Sequence, residues 1–184
     1  MAEVKILIQG YTSTDHPGEA EKTCPTITLV KDDELIMIVD PGVLADQQIL
    51  IDCLQQEGLS IDDIKIVALT HSHLDHYRNI GLFPRAKTLE YYGLWDGERV
   101  EDWSTQFTAN IRIIKTPGHS SDSLTFLVKT EQGIIAICGD VFWKQAYPQQ
   151  DPYANDSEKL QISRQQVLEL ADWVIPGHGG MFKT

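Results

Sequence analysis

The sequence is short of cysteine and of positive charge, and it has no long apolar run. Each shortage removes a class of protein. Cys24, Cys53 and Cys138 are odd in number and far apart, so a disulfide framework is not expected. Cys138, in IIAIC, reads as a small buried hydrophobe. No segment approaches the ~20 apolar residues that span a bilayer. The apolar stretch in MAEVKILIQGY is too short for a signal h-region and has no small-residue cleavage site behind it. A soluble, reduced, cytoplasmic protein with no membrane contact is the expectation. Acids outnumber bases 27 to 15, for a formal charge of −12. No run of five or six bases interrupts that field, which disfavours RNA as a partner. A bound metal ion could still be a local positive charge.

What is present suits one domain over residues 1–184, with 42% hydrophobic and 23% charged residues and no break in composition. Strands are expected at 4–9, 26–30, 35–39 and 65–69, and again at 111–115, 124–128, 134–138 and 173–175. LIMIV at 35–39 is apolar without interruption, as a strand covered on both faces would be. Ile49, Leu50, Cys53 and Leu54 recur at helical intervals within 45–57, and Gly58 supplies a stop. A short helix is expected between the first histidine cluster and Pro84. Ser157 is the expected cap of a helix over SEKLQISRQQVLELA. The polar stretch from Tyr11 to Cys24 is long for a simple connection, and such loops are often functional. The pattern strand–Asp–helix–strand–His occurs twice, ending first in Asp40 and His71 and then in Asp140 and His178. Two such units facing each other would bring polar residues from four strand ends to one edge.

The chain has six histidines, and three stand with an aspartate in IVALTHSHLDHYRN. His71 and His73 are two apart, so they share no helix face, but an extended turn lets both reach one ion. Asp75 and His76 follow where a helix could start and aim at a second ion. Imidazole with carboxylate suits Zn, Fe, Mn or Co, with Zn the default for a nitrogen-rich tetrahedral site. Three more ligand-type residues follow strands: His119 in TPGHSSDS, Asp140 in ICGDVF and His178 in VIPGHGG. Each has a glycine close by, which lets backbone bring a side chain near an ion.

HxHxDH followed by PGH, GD and PGHG resembles the metallo-β-lactamase superfamily of metallo-hydrolases, in order and along almost the whole chain. The resemblance implies an α/β fold, a four-layer αββα sandwich of two mixed sheets flanked by helices. By motif position, His71, His73 and His119 would hold a first metal. Asp75, His76 and His178 would hold a second, Asp140 would bridge the two, and Asp40 would orient a ligand histidine. NIGLFP, GDVFW and the ending VIPGHGGMF resemble one subfamily whose members have been associated with RNA cleavage. Arg78 and Asp122 stand where many relatives have glycine, and neither change removes a ligand.

Two divalent ions, zinc by default with iron or manganese as alternatives, would lower the pKa of a bridging water from 15.7 towards ~7. The expected activity is binuclear hydrolysis of an ester, thioester or lactone. Asp75 would orient the nucleophile, and Arg78 would meet an anionic group on a small substrate. Two alternatives remain. A metal-dependent ribonuclease or phosphodiesterase would need Lys22, Arg78, Lys87, Arg85 and Arg99 gathered at the site. A non-catalytic metal-binding protein of the same fold would have little reason to retain every ligand and the bridging carboxylate. The pattern of a β-lactamase is not matched, because those enzymes generally lack the bridging carboxylate. Neither a helical glutathione-gripping domain, nor a flavin domain, nor long nuclease inserts are expected here. Substrate choice would come from segments 11–23, 92–103 and 143–153, with two or three of Tyr11, Tyr92, Trp95, Trp103, Trp143, Tyr147 and Tyr153 lining the pocket. His16 is read as a loop residue, not a ligand.

Overall fold

The computed structural model describes residues 1–13 and 22–184. The strands in chain order are β1 (Glu3–Ile8), β2 (Tyr11–Thr12), β3 (Thr23–Cys24), β4 (Ile27–Asp32), β5 (Leu35–Val39), β6 (Ile66–Ala68), β7 (Lys87–Glu90), β8 (Gly93–Asp96), β9 (Arg99–Glu101), β10 (Ile111–Lys115), β11 (Leu124–Thr130), β12 (Gly133–Ile137), β13 (Trp173–Ile175) and β14 (Phe182–Lys183). The helices are α1 (Gln48–Gln56), α2 (Leu74–Tyr77) and α3 (Ser157–Leu170). One sheet runs β1-β4-β5-β6-β7-β8-β9 and the other β10-β11-β12-β13-β14, while β2 and β3 form a separate hairpin. Both main sheets are mixed, with parallel pairs at β5–β6, β6–β7 and β12–β13.

Side-chain alternation explains the layers. Ile27, Leu29 and Ile38 pack outward with Leu50 and Leu54 of α1. Val30, Met37 and Val39, from the same strands, face inward onto Ile113, Phe126, Val128 and Ile137 of the second sheet. Strand β5 is therefore covered on both faces, which is why LIMIV lacks polar positions. Behind the second sheet, Leu160 and Val167 of α3 pack on Leu127, Ala136, Cys138 and Val174. The order helix, sheet, sheet, helix is the αββα sandwich expected. All three cysteines are free, and Cys138 is buried as expected. No described helix is long and apolar enough to cross a membrane.

Three expectations need correction. The helix expected over 45–57 starts at Gln48, because the Asp46 carboxylate accepts from the Gln48 N–H at 2.8 Å and turns the chain there. Its stop is as expected, with Gly58 at φ +71. Helix α3 is capped by Asp156, whose carboxylate accepts from the Lys159 N–H at 3.0 Å, and Ser157 is its first helical residue. Segment 92–103 is no accessory loop of the site: it belongs mostly to β8 and β9, at the far edge of the first sheet. Its aromatics brace that edge, with the indoles of Trp95 and Trp103 donating to the side chain and carbonyl of Glu90 at 2.7 and 2.9 Å. His16 lies outside the described residues.

A buried carboxylate ties the sheets together. Asp32 ends β4 and accepts from the Thr108 hydroxyl and, at 2.7 Å, from the Asn110 amide, both just ahead of β10. Replacing Asp32 with alanine strands both donors, which typically costs about 1–3 kcal/mol. Asp32→Ala should therefore lower the unfolding free energy by that amount, read in a urea titration as a lower midpoint with the slope unchanged.

Candidate metal centre

Just beyond β5, β6, β10, β12 and β13 stand Asp40, His71, His119, Asp140 and His178, and all five are buried. After β6 the chain turns through Thr70–His73 and enters α2, which starts at Leu74 and carries Asp75 and His76. The ligand atoms form two groups. His71, His73, His119 and Asp140 make one; Asp75, His76 and His178 make the other. In the first, Nδ1 of His73 lies 3.0 Å from Nε2 of His71 and 3.0 Å from Nε2 of His119. Asp140 spans the gap. Its Oδ2 is 3.3 Å from Nε2 of His119, and its Oδ1 is 3.3 Å from Nε2 of His178 and 3.4 Å from Nε2 of His76.

Partners behind the rings fix which nitrogen faces inward. Nδ1 of His76 donates to Asp40 Oδ2 at 2.8 Å, Nδ1 of His119 to Asp151 Oδ2 at 2.6 Å, and Nδ1 of His178 to the Cys24 carbonyl at 3.0 Å. In each case Nε2 is left pointing into the site. Asp40 also accepts from the backbone N–H and hydroxyl of Thr70 at 2.8 and 2.7 Å, and the same hydroxyl lies 3.1 Å from Nδ1 of His71. Glycine makes room at Gly177, where a Cβ would overlap Asp140 Oδ1.

Burial and the neighbouring groups together set the charge of these side chains. Burial, reinforced by the facing His76, pushes the His71 imidazole well below its ordinary pKa, and burial with the neighbouring His119 lowers His73. Burial opposes charge on His76 and Asp140 too. The carboxylates of Asp40 and Asp140 nevertheless hold His76 well above the usual histidine value. His178, His76 and His119 hold Asp140 well below the usual carboxylate range. His71 and His73 thus offer neutral imidazoles beside an ionised carboxylate, a donor set that suits a divalent cation. Tetrahedral Zn–N bonds of ~2.0–2.1 Å place their nitrogens about 3.3 Å apart, close to the spacing seen. His76 Nε2 and Asp140 Oδ1 are buried with no hydrogen-bond partner among the described residues, as atoms reserved for an ion would be.

The family model for the metallo-β-lactamase superfamily matches residues 25–102. Metallo-β-lactamase domain-containing protein 1 of Xenopus laevis is 31% identical over 98% of this chain and 81% of the frog protein. The chain belongs to the metallo-β-lactamase superfamily. A probable metallo-hydrolase from Methanocaldococcus jannaschii is 29% identical over 97% of this chain and 87% of its own length. The crystal structure of a metallo-β-lactamase-type protein from Thermotoga maritima superposes with a TM-score of 0.80 at 25% identity, covering 100% of this chain and 99% of that one. The human counterpart of the frog protein is 26% identical over 98% of this chain and 82% of its own length.

The superfamily motifs place seven residues where two metal groups can form, and the structure brings all seven together. They open into a groove of about 950 Å³ whose wall includes Lys22, Arg78, Tyr11, Trp143 and Tyr153. Three of the seven aromatics named from the sequence are therefore in place. Of the five bases an RNA-cleaving site would gather, Lys22 and Arg78 reach the groove, whereas Lys87 pairs with Asp96, Arg85 with Asp62, and Arg99 lies on β9. Asp122, unexplained by sequence, accepts from the Ser72 N–H at 3.1 Å and from the Ser120 hydroxyl, tying the first histidine turn to the His119 loop.

Two residues with a part in the site escape sequence reading. Asp151 is buried, and besides holding His119 it accepts from the Tyr153 N–H at 2.9 Å. Nothing in YPQQDPY distinguishes that acid. Arg164 is buried on α3, donating to the carbonyls of Val141 and Gln149 at 2.9 and 3.2 Å, so it fixes both ends of the loop from Asp140 towards Asp151. A signal for it exists: with Leu160, Ser163 and Val167 it occupies the buried face, where an arginine needs a reason. Removing an outer partner of a ligating histidine typically costs about 10–100-fold in metal affinity. Asp151→Asn should weaken zinc binding by that factor, as competition with a chromophoric chelator would measure, with the melting temperature little changed.

Proposed function

We infer that this protein is a hydrolase that works with two divalent ions, zinc by default, and cleaves an ester, thioester or lactone of a small anionic substrate. The observation that carries the reading is Asp140, whose two carboxylate oxygens face the two groups of imidazoles separately. Ions held there would supply Lewis acidity and bring bound water towards a neutral pKa. On this reading His71, His73 and His119 hold one ion, Asp75, His76 and His178 the other, and Asp140 both.

The chain's own residues supply the rest. Asp75 Oδ2 lies 3.7 Å from His178 Nε2, accepts from the Thr23 hydroxyl at 3.3 Å, and sits on the groove wall. It is placed to accept a proton from the attacking water and to pass it to the leaving group. The buried histidines and Trp143 exclude bulk water from the inner end, which strengthens charge interactions there. Arg78, exposed on the groove wall, is placed to meet a carboxylate or phosphate on the substrate.

Elemental analysis of the purified protein should find two transition-metal ions per chain. His178→Ala should lose chiefly one of them and His71→Ala chiefly the other. A panel of ester, thioester, lactone and phosphodiester substrates tests the activity, and no metal-dependent turnover on any carboxylic ester, thioester or lactone would reject the reading. Asp75→Asn should reduce kcat on a substrate so found by at least ~10². Near-normal turnover in that variant would remove Asp75 from the mechanism.

A further inference from the structure

The groove above the metal groups is divided by chemistry. Leu74 and Arg78 stand one helical turn apart, so they share a face, and both line the groove while Asp75 between them faces His178. Leu74 is 56% exposed and Tyr11 is 52% exposed, large values for apolar side chains in a concave wall. Leu44 continues the apolar strip on the loop after β5. That loop is held against the α2 segment by backbone bonds of 2.9 Å from the Gly42 N–H to the His76 carbonyl and 3.0 Å from the Asn79 N–H to the Gly42 carbonyl. Hairpin β2–β3, anchored by Thr23 on Asp75, brings Tyr11 to the groove, and the exposed Lys22 joins it there from just before β3.

The balance of charge shifts here. The chain carries −12 overall. Yet the described groove residues include two cations and no acid apart from Asp75 and Asp140, which face the metal groups. Lys5, Arg85, Lys87 and Lys159 are neutralised by nearby carboxylates. Among the described residues, Arg78 and Lys22 have no such partner, as is true of several other bases, but these two stand on the groove wall. A wall that leaves leucine and tyrosine exposed beside two cations with no ion-pair partner among the described residues fits a ligand with an apolar chain and one negative group.

We propose that the groove selects an amphiphilic monoanion, its apolar chain lying along Leu74, Leu44 and Tyr11 and its anionic group met by Arg78 and Lys22. The proposal rests on the hydrolase reading for what happens to that ligand, but not for its binding. A fully buried methylene is worth about fourfold in affinity, and a groove open on one side should yield about twofold.

The experiment uses the zinc-loaded protein and two series of probes. The first is 4-acyloxybenzoates from acetyl to octanoyl, with their neutral methyl esters, followed by release of the phenol. The second is the uncleavable ethers 4-methoxybenzoate and 4-octyloxybenzoate, with methyl 4-octyloxybenzoate as the neutral control, followed by calorimetry. The expected result is affinity for the ethers, and kcat/KM for the esters, rising about twofold per methylene. The charged member of each pair should be preferred about tenfold or more. Leu74→Ser should flatten the chain-length slope, and Arg78→Gln with Lys22→Gln should abolish the preference for charge. Ether binding that shows both dependences without turnover of any ester would uphold the groove assignment and count against the hydrolase reading. Turnover with neither dependence would overturn the groove assignment and leave the hydrolase standing.

Discussion

Asp140 is a carboxylate buried among histidines on two sides, and the architecture around it can be read as the means of keeping it there. Burying an ionised carboxylate is costly unless charge or hydrogen bonds compensate. Here the compensation comes from His76, His119 and His178, all within 3.4 Å of its oxygens. Each of those rings needs its own outer partner: Asp40, Asp151 and the Cys24 carbonyl. Asp151 in turn stands at the end of a loop braced by Arg164. A demand for compensation at one atom pair thus propagates from the sheet ends to the outer helix, and it explains why an arginine occupies the buried face of α3.

The fold meets that demand by repetition. Strands β5 and β6 are parallel, as are β12 and β13, and each pair is joined through a helix packed on the outer face. In open sheets of this kind, residues just past the carboxyl ends of parallel strands are free to converge. Asp40 and His71 leave one pair; Asp140 and His178 leave the other. Packing the two sheets face to face through Met37, Val39, Phe126 and Ile137 then closes the four ends on each other. Thr70 shows how closely they meet, since its carbonyl accepts from Leu124 of the second sheet at 2.7 Å while its hydroxyl donates to Asp40 of the first.

Much of this was legible in the sequence, because the site is built from short contiguous motifs at strand ends. HSHLDH, PGH, GD and PGHG each combine ligand chemistry with a glycine or a turn. The apolar strands β5 and β12 betray themselves by unbroken runs. The rest depended on distance. Strands β7 to β9 have three or four residues each and are mostly exposed or half-buried, so no period develops that could separate them from a loop. Asp151 is an ordinary turn acid until the fold carries it to His119, and Asp122 an unexplained departure until it reaches Ser72. The one-residue error at the cap of α3 arose because Asp156 and Ser157 are equally good caps, and only the backbone decides between them.

The charge of the chain and the charge of the groove act at different ranges. At physiological ionic strength exposed charges are screened beyond about 8 Å. The overall field of a chain at −12 is therefore felt mainly by something long enough to lie across its surface. A long polyanion would meet that repulsion over most of its length and gain only two cations at the groove. A small anion entering the groove has Arg78 and Lys22 within its immediate surroundings and the remaining acids screened. A divalent cation has the opposite experience, attracted by the acidic surface and then by Asp75 and Asp140. On the proposed reading, the same negative chain would gather metal ions, admit a compact anion to meet them and turn away an extended one, with no more than two basic side chains on the described wall.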